Sequence, residues 1–261
     1  MIKKLKYIYG PVSSWRLGRS LGVDLLSQPL KVCNFDCLYC QLGKTAYSLK
    51  KRSEFVPSAE VIKEISKIPE IDIDYITISG RGEATLTANI RETVEGIRKI
   101  RKNKIAIITN AVLIGDEEVR KDLMLFDFVV AKIDACNQKL LEVINRPLCK
   151  IKLKEIIDGF CKFRKEYQGK LAIQTMLIEQ NVECISSFAE IYKRIMPDEI
   201  QLNTPLRPSP VKPLSKDEMD KLTQKLRELL PDIPIKMVYE SEKPEVEPIS
   251  EPDTLKRRGK V

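Results

Sequence analysis

The sequence predicts an α/β fold, an open, partial (β/α)6 TIM-like barrel built on a parallel sheet, with an extra C-terminal strand and a flexible tail. Three observations lead there. Short runs that are almost continuously apolar or β-branched recur along the 261 residues, as strands buried on both faces require. Amphipathic stretches of helical period separate them, which implies right-handed βαβ units. Six such units fit before about Asn203 and one strand follows, short of the eight that close a barrel.

In chain order, residues 1–19 form an N-terminal segment whose turn residues begin at Tyr9-Gly10-Pro11. Residues 20–239 carry the barrel, with strands expected at Leu21–Leu26, Tyr75–Ser79, Ile105–Thr109, Phe126–Ile133, Leu171–Leu177, Glu199–Asn203 and Ile233–Tyr239. Helical stripes run through Val61, Ile65 and Ile68; through Ile90, Val94, Ile97 and Ile100; and through Phe188, Ile191 and Ile195. Ser215 and Glu218 form a capping-box pattern ahead of Met219, Leu222 and Leu226. Residues 240–261, rich in Glu and Pro and then basic, are expected to be a flexible tail.

A hydrophobic share of 43% and a charged share of 31% describe a soluble globular balance. No run approaches the roughly eighteen apolar residues of a membrane span, and no apolar segment follows the basic start, so the expected location is the cytoplasm. There is no histidine, which excludes Ser-His-Asp and Cys-His nucleophile systems and any imidazole acid/base step. The net charge of +8 suits a polyanionic partner such as RNA, as do Arg98, Lys99, Arg101, Lys102 and Lys104. The same charge also describes an ordinary Lys/Glu-rich surface.

Seven cysteines in a chain of this size point to metal or redox chemistry before structural crosslinks. Cys33, Cys37 and Cys40 form a C-x3-C-x2-C run directly after the first expected strand. Three thiolates in one loop can ligate three irons of a cubane and leave the fourth open to a small molecule. The alternative is a zinc knuckle or a trio of free thiols. Cys136, Cys149, Cys161 and Cys184 are scattered singly and read as buried small hydrophobes.

This motif, with Tyr39 before the last cysteine, resembles the radical S-adenosylmethionine (AdoMet) superfamily. The subgroup of wyosine-type tRNA-modifying enzymes is the most similar. Its pattern is matched by Tyr9-Gly10-Pro11-Val12, Arg16 to Asp24, Asn34 to Gly43, Ser79-Gly80-Arg81-Gly82-Glu83, Thr109-Asn110, Lys132 to Ala135, Asn145-Arg146-Pro147, Gln174-Thr175-Met176 and Gln201 to Thr204. Ser13, Trp15 and Ala84 depart from it, and no cysteines precede Cys33 for the second cluster of wyosine-base synthases.

The resemblance implies a [4Fe–4S] cluster on Cys33, Cys37 and Cys40 and AdoMet on the open iron. Reductive cleavage would give a 5′-deoxyadenosyl radical that abstracts hydrogen from the substrate. Glu83, beside Gly82, would take the AdoMet amino group, and Tyr39 would pack near the adenine. Asn110, Lys132, Asp134, Gln174 and Asn203 end successive strands, where barrels place function, and would face AdoMet or substrate. Lys132 and Asp134 point the same way along a strand, so an ion pair between them is an equal expectation. An external donor of flavodoxin or ferredoxin type is implied. The substrate is either tRNA or a peptide, protein or small metabolite, with a non-enzymatic metal-binding module as the third reading.

Overall fold

A computed structural model describes residues 5–46 and 51–257. Eight strands form one sheet in chain order: β1 (Ile8–Ser14), β2 (Gly18–Val23), β3 (Tyr75–Ile78), β4 (Lys104–Thr109), β5 (Phe128–Lys132), β6 (Lys170–Met176), β7 (Glu199–Asn203) and β8 (Ile235–Met237). All neighbours from β2 to β8 are parallel, whereas β1 and β2 form an antiparallel hairpin. β1 and β8 are the two ends of the sheet order, so the barrel is open, as expected.

The helices are α1 (Ser58–Ile65), α2 (Ile90–Ile100), α3 (Glu117–Leu123), the short α4 (Gln138–Leu140), α5 (Leu153–Glu166), α6 (Ile185–Ile195), α7 (Lys216–Leu229) and α8 (Glu251–Arg257). Alternation along the strands separates two apolar layers. Val129 and Ala131, like Ile76, Ile105 and Ile173, pack against helix residues such as Ile97, Phe160 and Phe188 in the main core. Phe128 and Val130 join Ala106, Ala172 and Leu17 in a smaller cluster on the concave face. Below it, the buried Glu199 carboxylate pairs with two part-exposed lysines, Lys170 (2.8 Å) and Lys236 (3.0 Å).

The helical stripes bury as read, except that Ile100 is exposed at the frayed end of α2. The Ser215–Glu218 capping box starts α7. No helix among the described residues is long and apolar enough to cross a membrane.

Both chain ends differ from their sequence reading. The N-terminal segment adds the edge strand β1, whose Gly-Pro content reads as coil but is tolerated where only one side of a strand is paired. Residues 249–254, expected in a flexible tail, dock on that strand: Ile249 N donates to Gly10 O (2.7 Å), and Gly10 N donates to Thr254 Oγ1 (3.0 Å). Thr254, in the middle of α8, is buried where that helix meets β1. We expect Thr254→Val, which strips the buried Gly10 N–H of its acceptor, to lower the unfolding free energy by about 1–3 kcal/mol in urea titration. A change below about 0.3 kcal/mol would mean that the tail is not docked.

Candidate active site

The loops that leave the C-terminal ends of β2 to β6 converge on one rim of the sheet. After β2 the chain runs through Asp24 and Lys31 into the cysteine loop. This loop is fastened at its root to the glycine motif that follows β3. Val32 pairs with Gly82 in an isolated parallel bridge, in which Val32 N donates to Arg81 O (3.2 Å) and Glu83 N to Val32 O (3.0 Å). Gly82 has φ +154°, and a Cβ there would overlap the Val32 carbonyl oxygen. A Cβ on Gly80 would collide with the carboxylate of Asp24, which is itself fully buried and accepts from Leu26 N (3.1 Å) and Arg81 N (3.3 Å). Both glycines therefore serve close approach between loops.

Glu83 is buried and caps the short turn Ala84–Leu86. Its Oε1 accepts from Thr85 N (2.9 Å), Thr85 Oγ1 (2.7 Å) and Thr109 Oγ1 (2.6 Å), while Oε2 accepts, among the described residues, from Asn110 N (2.6 Å) alone. The carboxylate is thus locked by one oxygen, and the other keeps acceptor capacity for a further donor. Burial raises its pKa, against the pull of those donors.

The buried Lys31 ammonium lies 3.6 Å from Asp36 Oδ1 and feels the charges of the three cysteines. Burial opposes the charge of Lys31, but the fields of Cys40 and Cys33 outweigh it and raise its pKa. Lys31 Nζ also donates to Gly43 O (3.1 Å). Asn110 Nδ2 approaches Cys33 Sγ (3.7 Å) and donates to Asn34 Oδ1 (2.6 Å); Asn145 Nδ2 donates to Cys37 Sγ (3.4 Å). Without metal, burial and then the Glu83 charge push Cys33 up to about 12, and burial and then Asp134 push Cys37 to about 11. Ligation must therefore displace protons that the fold alone retains.

On β5 the expected ion pair is present, with Lys132 Nζ 3.1 Å from Asp134 Oδ1. The Asp134 carboxylate is fully engaged, since Oδ1 also accepts from Met176 N (2.8 Å) and Oδ2 accepts from Asn145 Nδ2 (3.1 Å) and the Tyr39 hydroxyl. Lys132 stands over the Tyr39 ring, 5.2 Å from its centroid. Burial, then Asp134, holds the phenol protonated well above its ordinary range. Asp134 is therefore a tie between the cysteine loop, β5 and β6.

Cys33, Cys37, Cys40, Tyr39, Gly82, Glu83, Asn110, Lys132 and Asp134 form one connected rim. Gln174 lies beside Lys132 in register, facing the concave side. Asn203 ends β7 opposite Met176, three strands from Asn110, and takes no part in this network among the described residues. Asn34, Asn145, Asp24 and Lys31 complete the rim without having been assigned roles. Tyr9 is another such residue: its ring covers Gly22, and its hydroxyl bonds Ser79 Oγ (2.7 Å). The signal for Lys31 was its place two residues before Cys33; the asparagines needed tertiary structure. Cys136 and Cys184 are joined as a disulfide, Cα atoms 6.1 Å apart, while Cys149 is exposed and Cys161 half-buried, so none of the four is an isolated buried hydrophobe.

The residues fit a four-iron cluster with AdoMet. Three thiols share one loop, amide donors aim at two of the sulfurs, and one Glu83 oxygen keeps a free lone pair. Asn145 Oδ1 and Gln174 Nε2 are buried without hydrogen-bond partners among the described residues.

Comparison with known proteins agrees. Residues 27–191 match the radical SAM superfamily, and the chain belongs to that superfamily of enzymes. It is 40% identical over 207 residues to a UPF0026 protein of Synechocystis sp., covering 78% of this chain and 77% of the relative, which places it with the UPF0026 proteins. Among solved structures it is similar in fold to Streptococcus suis SuiB bound to S-adenosylmethionine (TM-score 0.62, 15% identity, 80% of this chain and 50% of SuiB). The chain thus spans about half of SuiB. It is also similar to archaeal TYW1 (TM-score 0.56, 19% identity, 80% of this chain and 72% of TYW1). A [4Fe–4S] cluster and AdoMet are the cofactors of the superfamily and of this enzyme.

If the Val32–Gly82 pairing seats the cysteine loop, Gly82→Ala should fold, by circular dichroism, yet fail to retain the roughly four irons per chain of a reconstituted cubane. Wild-type iron content in that variant would separate the pairing from cluster assembly.

Proposed function

We propose that this enzyme generates a 5′-deoxyadenosyl radical for hydrogen abstraction, with Cys33, Cys37 and Cys40 as the cluster ligands. The observation that carries the reading is the coupling of the three-thiol loop to the half-satisfied Glu83 carboxylate through one backbone pairing. When bound, the cluster and AdoMet supply reductive cleavage of the sulfonium. The chain's residues prepare the place: Glu83 Oε2 takes the ammonium of AdoMet, and Asn110 and Asn145 donate to sulfur. Tyr39, fixed by Asp134 and Asn145, borders the adenine side, and Lys132 and Gln174 turn polar groups to the concave interior. The tightly packed rim keeps water from the radical. The reductant is an external flavodoxin- or ferredoxin-type carrier, and the setting is cytoplasmic.

Of the two substrate readings, a compact polar group within the sheet is the better supported. Gln174 and Gln201 are adjacent in register and buried, and Gln174 Nε2 and Gln201 Oε1 have no partners among the described residues. Of the cations that favoured tRNA, Arg98, Lys99, Arg101 and Lys102 precede β4 and Lys104 opens it, at the opposite end of the sheet from the cysteine loop, while the basic tail from residue 258 lies outside the described residues. Arg98 bonds Leu125 O and Asp127, and Arg101 bonds Ile65 O and Ile68 O, so both serve packing. A tRNA substrate would have to be held by other parts of the surface.

Anaerobically reconstituted protein reduced with dithionite in the presence of AdoMet should release 5′-deoxyadenosine. Cys37→Ala should abolish release, and Glu83→Gln should weaken AdoMet affinity by about tenfold, or 1.4 kcal/mol. A fully loaded protein that yields no 5′-deoxyadenosine would refute the reading in favour of a metal-binding module.

A further inference from the structure

The turn after α4 runs beside the cysteine loop and is sewn to it by backbone hydrogen bonds. Asp36 N donates to Asn145 O (3.0 Å) and Arg146 O (3.1 Å), Leu38 N to Ile144 O (2.9 Å), and Leu148 N to Asn34 O (3.0 Å). Phe35 and Pro147 form an isolated antiparallel bridge. Outward of this seam lies a groove of about 920 Å³, lined among others by Asp36, Arg146, Leu148, Lys150, Lys152 and Arg194.

The charges of the groove are not equivalent. Lys152 is paired with Glu155 (3.1 Å), Lys154 with Asp158 (2.6 Å), and Arg194 also with Asp158. Arg146 and Lys150 are exposed and have no ion pair or side-chain hydrogen bond among the described residues. Between them Leu148 is 42% exposed, a large apolar side chain left in water. Free positive charge around an apolar centre matches an acidic protein surface, where complementary charge steers encounter and apolar contact holds it. A nucleic acid fits less well. No aromatic side chain among the described residues lines the groove for base stacking.

Location narrows the partner further. The groove wall is one hydrogen bond, Leu148 N to Asn34 O, from the residue covalently next to Cys33. We propose that this groove is the docking face for an acidic, low-potential one-electron carrier protein of flavodoxin or ferredoxin chemistry. The inference rests on the radical AdoMet reading above. In the step the carrier is oxidised by one electron and the cluster is reduced by one; no bond is made or broken, and no proton is required.

The test uses the full reconstituted chain and a purified acidic flavodoxin in its hydroquinone state. Two quantities are measured under anaerobic conditions: flavodoxin affinity by calorimetry, and the rate at which the visible cluster absorbance bleaches on mixing. The Arg146→Glu/Lys150→Glu double variant should bind about tenfold more weakly and be reduced about tenfold more slowly at subsaturating flavodoxin. Added salt should weaken the wild type towards the variant. Reduction by dithionite should be the same in both, and Arg146→Lys/Lys150→Arg should retain wild-type behaviour. Unchanged flavodoxin affinity and rate, with dithionite reduction intact, would overturn the docking face alone. So would loss of tRNA retention in the charge-reversed variant with flavodoxin reduction unaltered, which would make the groove an RNA surface. Failure of dithionite to reduce either protein would overturn the radical reading and this proposal with it.

Discussion

The site depends on a pairing only one residue long. Val32 lies between the backbone groups of Arg81 and Glu83, and through that bridge the cysteine loop inherits the rigidity of β3. The pairing requires Gly82, because any side chain would occupy the space of the Val32 carbonyl oxygen. It also sets Glu83, whose backbone donates to Val32 and whose carboxylate gathers Thr85, Thr109 and Asn110. Asn110 in turn reaches Asn34 and Cys33. Cys33, the Glu83 carboxylate and the end of β4 thus belong to one hydrogen-bonded circuit.

A second circuit holds the other side of the loop. Asp134 accepts from Tyr39, Asn145 and Met176 and pairs with Lys132, while Asn145 also reaches Cys37. A buried carboxylate without such partners would be costly, so its saturation stabilises the network and fixes Tyr39 at the same time. The circuits meet only through the cysteine loop. The loop that carries the chemistry is therefore the element with the most neighbours to satisfy, whereas the strands below need only their apolar faces.

β3 to β5 were legible because they are buried and carry nearly continuous apolar or β-branched runs, such as Ile105 to Thr109, whereas β2, read at Leu21–Leu26, lies at Gly18–Val23, where glycines and a serine interrupt the run. β1 was not, since an edge strand tolerates the Gly10-Pro11 pair that elsewhere signals coil. At the site, the cysteine motif was visible from its spacing and Glu83 from the family resemblance, and the Val32–Gly82 bridge joins the two segments. The roles of Asn34, Asn145 and Tyr9 could not, since each acts across at least 70 residues of chain on a partner chosen by the fold. Arg101 looked like part of a nucleic-acid patch, because a charge run does not disclose which members cap a neighbouring helix. For Asp134 the ion pair with Lys132, one of two equal expectations, is present, and its ties to Tyr39, Asn145 and Met176 came only with the fold.

The central claim, that three cysteines hold a cubane with one iron open to AdoMet, is tested most directly by Mössbauer spectroscopy on protein reconstituted with iron-57, with and without AdoMet. The account predicts a single [4Fe–4S] cluster in which one iron of about four changes its isomer shift when AdoMet is added. Spectra of a mononuclear or two-iron site, or a four-iron cluster indifferent to AdoMet, would contradict it.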